Sequence, residues 1–413
     1  MRERTLKIRA ALAAVLAAGI VIALPASASA RALQNASPPL PGGSYAGATK
    51  LGERLRIRVS TNAPNGSIAG KLKVPCARSK ARFRTADGSF VAKRRNHHGR
   101  LILRAKGRFT SPTRVRGKLT EAASKRNCAP SRFTAKLRSP AGVHSKAIDY
   151  GPFDVPPGGM QTTRNDVARP CSNCYMVAMI PDLVYANGRI ANFETQAMLH
   201  HVVLFNTAAT DATCPDTGVG NLGQRFFAAG NERTIFTLPR GYGYHVSQGD
   251  RWRLLTHLMN MAGHDQSYYI RVTFFYVRAP AKIDPVTPVW LDIANCGDSE
   301  YSIPAGRSDT HWGYRVPPSL AGKLVSMGGH QHNDSVKIKA TDGGKTLCTS
   351  RAGYGRNPSY MGNIESMSGC VGDPLGRIHA GDLIRLHSIY DTDHAQNDVM
   401  GIMLAYVATR GGG

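Results

Sequence analysis

The side chains in this sequence best suited to metal chemistry are histidines set in apolar, strand-like runs. His200 and His201 stand side by side in "LHHVVLF" (199–205), and His257 lies in "LLTHLMN" (254–260). His330 and His332 form an H-x-H in "GGHQHN" (328–333). Residues two apart on a strand share a face, so His330 and His332 can grip one ion. Adjacent His200 and His201 would point to opposite faces of a flat strand. Near the end, "NDVMGIML" (397–404) offers Met400 or Met403, a soft thioether that favours Cu(I) over zinc. Each feature has a plain structural counterpart. A lone strand histidine is usually a core or edge residue, an H-x-H beside Gln331 and Asn333 can be a polar turn, and strand methionines mostly pack in cores. Three histidines in apolar strands within sixty residues, followed by the H-x-H, are what point to a metal. Uncharged imidazoles suit either oxidation state of copper.

The elements that must position these groups are strands. "CYMVAMI", "LHHVVLFN", "RWRLLTHLM", "YYIRVTFFYV", "KLVSMGGHQH", "SVKIKA", "DLIRLHSIY" and "MGIMLAYVA" follow one another from about residue 160 onward, with little helical periodicity. Upstream, "RLRIRVS" puts Leu55, Ile57 and Val59 on one face and arginines on the other, and "RLILRA", "TRVRGKL" and "RFTAKL" repeat the scheme. The chain therefore reads as all-β: a small basic β domain over 31–145, then two consecutive jelly-roll-like β-sandwiches over 161–280 and 281–413. The Pro- and Gly-rich residues 146–160 read as a linker.

Residues 1–30 read as a secretory signal: a basic start, the apolar run "AALAAVLAAGIVIAL", and "PASASA" with cleavage sites after Ala28 or Ala30. The mature protein is expected to be secreted, extracellular or attached to the cell surface, with no later membrane span. Its start near Ser29 or Arg31 would carry no histidine, which argues against an N-terminal histidine brace. The eight cysteines suit export as disulfides. Cys171-Ser-Asn-Cys174 has no companion CxxC and reads as a disulfide in preference to a zinc motif, and Cys76 with Cys128 would close the basic domain. Charge is sharply divided. Residues 31–150 carry 27 basic and 4 acidic side chains, whereas 151–413 carry 22 of each. A polyanion is the natural partner of the basic segment, an anionic wall polymer or lipid headgroups before nucleic acid, because aromatic residues are scarce among its cations.

The order HH, lone His, H-x-H and C-terminal Met resembles the copper type II, ascorbate-dependent monooxygenases, among them peptidylglycine α-hydroxylating monooxygenase and dopamine β-monooxygenase. "LHHVVLF" looks like that family's HHMLLF, "LPRGYGYHV" (238–246) resembles its LPKGVGF turn, and "GDRWRLLTHLMN" corresponds to the strand with the third histidine. "GDLIRLHSIYDTDHAQNDVMGIMLAYV" is similar to its closing GD-to-DEM segment. The resemblance covers about 160–410.

It implies two coppers at separate sites. His200, His201 and His257 would hold the electron-accepting ion, and His330, His332 and Met400 the ion where oxygen reacts. Met400, not Met403, matches the family ligand. A twist or bulge would have to bring His200 and His201 together. The implied activity is hydroxylation of a C–H bond with O2 and a one-electron reductant such as ascorbate. A copper-binding or scavenging protein on the same scaffold is the alternative. The substrate would be a small or surface-attached organic molecule, not a C-terminal glycine peptide, since Gly328 and Leu404 replace the family's carboxylate-gripping residues. Gly401 and about Ser388 stand where that family has a disulfide, for which Cys348–Cys370 would substitute, and His394 is the first candidate to orient a ligand.

Overall fold

The computed structural model describes residues 39–409, apart from 41, 61–67, 76–78, 86–87, 123–129, 139–141, 216–221, 355–359 and 361. The signal segment and the Cys76–Cys128 pair lie outside these residues.

The alternating basic segment closes into an eight-stranded antiparallel barrel: β1 (Ser44–Thr49), β2 (Arg54–Val59), β3 (Ile68–Val74), β4 (Ser79–Thr85), β5 (Ser89–Arg95), β6 (Leu101–Ser111), β7 (Arg114–Ala122) and β8 (Ser131–Arg138), with β8 pairing back to β1. Period-2 patterning drives this closure. Leu55, Ile57, Val59, Leu72, Val74 and their counterparts fill the interior, while the intervening cations face water. Gly70, Gly107 and Gly117 lie against the rings of Phe83, Phe90 and Phe133, so close that a Cβ at any of them would collide.

The first sandwich has two sheets. One runs β10 (Met160–Val167), β16 (Trp252–Asn260), β12 (Ala197–Asn206), β13 (Gln224–Gly230). The other runs β18 (Asp284–Pro285), β15 (Tyr242–Val246), β11 (Cys174–Val184), β17 (Gln266–Arg278), β9 (Val143–Val155), with β14 (Phe236–Thr237) on β11. The stretch expected to be a linker is thus mostly β9, a thirteen-residue edge strand paired to β17. Tyr150, Phe153 and Val155 turn into the core, and the intervening Gly151 and Pro152 sit at a register shift, where an edge strand tolerates them.

In the second sandwich, β19 (Thr287–Asp292), β28 (Gln396–Thr409), β22 (Gly322–Gln331) and β26 (Gly369–Ile378) form one sheet, with β20 (Glu300–Ile303) on β28. The facing sheet is β21 (Gly306–Arg315), β27 (Leu383–Thr392), β23 (Ser335–Asp342), β24 (Lys345–Tyr354), β25 (Ile364–Met367). The fold is all-β, as expected, and no helix among the described residues is long and apolar enough to cross a membrane.

The two sandwiches share a core. Along β28, Met403, Ala405 and Val407 fill the second sandwich, while Met400, Ile402, Leu404 and Tyr406 join the apolar cluster of the first. Cys171 pairs with Cys174, Cys348 with Cys370, and Cys214 with Cys296. The last bridge ties the loop after β12 to the turn after β19, across the junction. Closing a span of 82 residues in the unfolded chain, it should contribute about 4 kcal/mol. A Cys214→Ser/Cys296→Ser variant should lose stability of that order in chemical denaturation. A loss under about 1 kcal/mol would mean that the shared core alone holds the junction.

Candidate metal centre

A β-bulge answers the problem of the paired histidines. Leu199 is opposite Leu258 and His201 is opposite His257, so His200 is the extra residue on β12. The bulge re-aims its ring toward the same side as its neighbour. The His200 and His201 Nδ1 atoms are 3.2 Å apart, and the His257 ring lies 4.6 Å from His200 and 5.5 Å from His201. One donor atom from each of the three falls within 4.8 Å of the others, close enough to hold a metal ion.

The H-x-H arrives from the second sandwich. His330 and His332 share a face of β22 and its continuation, 5.6 Å between rings, while Gln331 turns inward to Ser388. The His332 ring is 4.8 Å from that of His200. The two groups that the resemblance would hold apart therefore adjoin, forming one cluster of five histidines. Gly230 permits this approach, since a Cβ there would come 2.5 Å from the His330 ring and 2.8 Å from the His200 carbonyl.

Met400 is buried and lines, with His201 and His330, a cleft of about 330 Å³ between the sandwiches. Val203, Phe205, Leu255, Trp290 and Ile402 form much of its wall, and Asp298 and Glu300 border it. Met403, one of the two methionines open at the sequence level, lies on the other face of β28 in the core. The Tyr390 hydroxyl accepts from the His332 backbone N–H at 2.9 Å and donates to the Met400 carbonyl at 2.6 Å, fixing the two residues to each other.

Glu232 is the orienting residue that sequence reasoning missed. Its Oε1 accepts from the Gly230 N–H, from Thr234 Oγ1 and from His330 Nδ1 at 3.1 Å. The proton on Nδ1 leaves the His330 Nε2 lone pair available. Buried Nε2 of both His330 and His332 has no hydrogen-bond partner, and neither has Oε2 of Glu232. His394, the candidate for an orienting role, is exposed and bonded to Asp393. Only the tertiary fold brings Glu232 to His330, 98 residues away. The one local signal was a carboxylate at the end of an apolar strand. Gly401 and Ser388, where the resembled family has a bridge, are indeed neighbours, with a Cβ on Gly401 2.9 Å from that of Ser388.

Burial, reinforced at His200, His201 and His332 by neighbouring rings, keeps four of the five imidazoles uncharged. It pushes His200 down to about 2, His201 to about 3 and His332 to about 4, and lowers His257. Burial also opposes charge on His330 and Glu232. There the mutual attraction prevails, raising the imidazole and holding the carboxyl below its usual range. Neutral imidazoles gathered in this way, with a thioether lining the same cleft, are a donor set suited to copper.

Comparison with known proteins agrees with this chemistry. The chain is 30% identical over 283 residues to a probable copper-dependent oxygenase, M1, of Phoma sp., covering 63% of this chain and 72% of that protein. It is also 30% identical to the probable copper-dependent oxygenase clz3 of Cochliobolus lunatus, over 55% of this chain and 78% of the relative. The family described as stress up-regulated Nod 19 matches residues 315–410. Among solved structures, a peptide N-glycanase F is similar at 9% identity and a TM-score of 0.35, over 64% of this chain and 96% of that one, too slight a likeness to carry an argument. The chain belongs to the family of these copper-dependent oxygenases. That class is broader than the ascorbate-dependent monooxygenases its motifs resemble.

Below the ordinary histidine pKa, near 6.5, the unfolded chain binds protons that the folded cluster refuses. The contribution of these rings is complete above that pH. It falls as the medium is acidified toward about 4 for His332, and further toward about 3 and 2 for His201 and His200. The thermal midpoint of metal-free protein should therefore drop across this window, and His201→Gln should flatten the drop. An unchanged profile in that variant would assign the acid sensitivity elsewhere.

Proposed function

We propose that this chain is an exported monooxygenase holding two copper ions. His200, His201 and His257 hold one, and His330, His332 and Met400 the other. The observation that carries this reading is the meeting of five imidazoles from two sandwiches beside a largely apolar cleft, four of them held uncharged, with the buried Nε2 atoms of His330 and His332 left without partners.

The reaction is insertion of one oxygen atom of O2 into a C–H bond of an organic substrate, the other leaving as water. It takes two electrons and two protons beyond those of the substrate, and a one-electron reductant such as ascorbate supplies the electrons in turn. Bound copper supplies the one-electron chemistry that makes O2 reactive. The chain does the rest. Glu232 keeps the proton of His330 on Nδ1, Tyr390 fixes His332 against Met400, and Gly230 leaves room for the His330 ring. Val203, Phe205, Leu255 and Trp290 would hold the hydrocarbon part of the substrate beside the donors and exclude water from it. The three disulfides among the described residues and the leader-like N-terminus support export.

Copper-reconstituted, desalted protein should contain about two coppers per chain by elemental analysis, the number of donor groups set by the family's pattern. His330→Ala should bring this toward about one, and Gly230→Ala should act in the same direction by displacing the ring. With ascorbate and a turned-over substrate, O2 uptake should match hydroxylated product. Copper bound in full with no coupled O2 uptake from a broad set of apolar substrates would favour the copper-scavenging alternative.

A further inference from the structure

The outer face of the barrel sets cation against cation. Arg58 faces Lys71 and Arg56 faces Lys73 between β2 and β3, and Lys71 and Lys73 in turn face Arg82 and Lys80 on β4. Arg82 then faces Lys93 on β5. All of these side chains are exposed, and among the described residues no ion pair neutralises any of them. Like charges directly opposite one another weaken a sheet. Three successive strands with this register carry a standing electrostatic cost that a bound anion would remove.

The arrangement also has a shape. On β2 to β4 these cations border a groove of about 960 Å³. Along each strand they repeat at roughly 6.6–6.8 Å, and across strands at about 4.8 Å. The large apolar side chains exposed on the barrel, Leu51 and Val91, do not line the groove, so it offers nothing to insert into a bilayer. Its one aromatic lining residue, Phe83, is buried in the barrel and presents no face for a base to stack on. A concave strip of point charges suits a flexible chain better than a flat membrane or a wide duplex.

We propose that this groove binds an extended, base-free polymer linked by phosphodiesters, laid across β2, β3 and β4 with successive phosphates between the facing cations. Arg56, Arg58 and Arg82 can fork onto phosphate oxygens, and Lys71, Lys73 and Lys80 act as point charges between them. The copper centre takes no part, so this surface stands or falls independently of the proposed reaction.

The test uses the full chain and fluorescent poly(glycerol phosphate) as probe. Two triple variants remove the same charge: Arg56→Gln/Lys71→Gln/Arg82→Gln in the groove, and Arg116→Gln/Lys118→Gln/Arg132→Gln on β7 and β8. The groove variant should lose about tenfold or more in affinity at low salt and show a shallower salt dependence, while the other changes less than about twofold. Removing the facing charges should also raise the thermal midpoint of the groove variant at low salt. Equal losses in both variants would reduce the surface to a diffuse polycation and overturn the proposal. So would a lowered midpoint in the groove variant, or tighter binding to phosphatidylglycerol vesicles or duplex DNA than to the polymer.

Discussion

Uncharged imidazole held half-buried where two sandwiches meet is the condition on which the centre depends. A protonated ring at His200, His201 or His332 would be a charge without a partner in a site largely closed to water, and burial and the adjacent rings oppose it together. The sheets can close over the cluster only while its members stay neutral or, like His330, meet a dedicated carboxylate. Glu232 is itself buried, and three donors satisfy one of its oxygens. His332, whose Nε2 has no partner, meets His200 across the seam between the sandwiches. The apolar face of β28 and the Cys214–Cys296 bridge keep that seam closed in one register, while the Tyr390 hydroxyl ties His332 to Met400 within the second sandwich.

Strand periodicity made much of the fold legible. Alternation of two identifies strands whatever their partners, and the all-β class followed from it. Reading Gly and Pro as punctuation misjudged 146–160, because they signal a break equally in a loop and in a bulged edge strand. Barrel closure was not legible, since it depends on β8 meeting β1 across nearly the whole segment. At the site, the spacing of His330 and His332 was informative because i and i+2 always share a face. His200 and His201 were not, because nothing local specifies the extra residue that turns one ring round. The choice between Met400 and Met403 came from the resemblance. In the structure the two lie on opposite faces of β28, Met400 beside the cleft. Glu232 joins His330 only through tertiary contact, and the adjacency of His200 and His332 depends on how one sandwich sits against the other.

The barrel poses a different physical problem. Its interior is ordinary, with aromatic rings laid over glycines and aliphatic side chains filling the gaps. Its exterior repeats like charges in register around several strands. An apolar cluster around Leu40, Ala178, Ile180 and Phe275 joins it to the first sandwich, leaving the cation-bearing strands facing outward.

The shared apolar face of β28 also bears on how such a protein could be inherited. Met400, Ile402, Leu404 and Tyr406 belong to the core of the neighbouring sandwich as fully as to their own strand. A gene fragment encoding the second sandwich by itself would deliver a domain with a raw hydrophobic flank and half a donor set. Shuffling therefore favours moving the pair as one cassette, whereas the barrel, joined by a handful of side chains, is the part that recombination can exchange most freely.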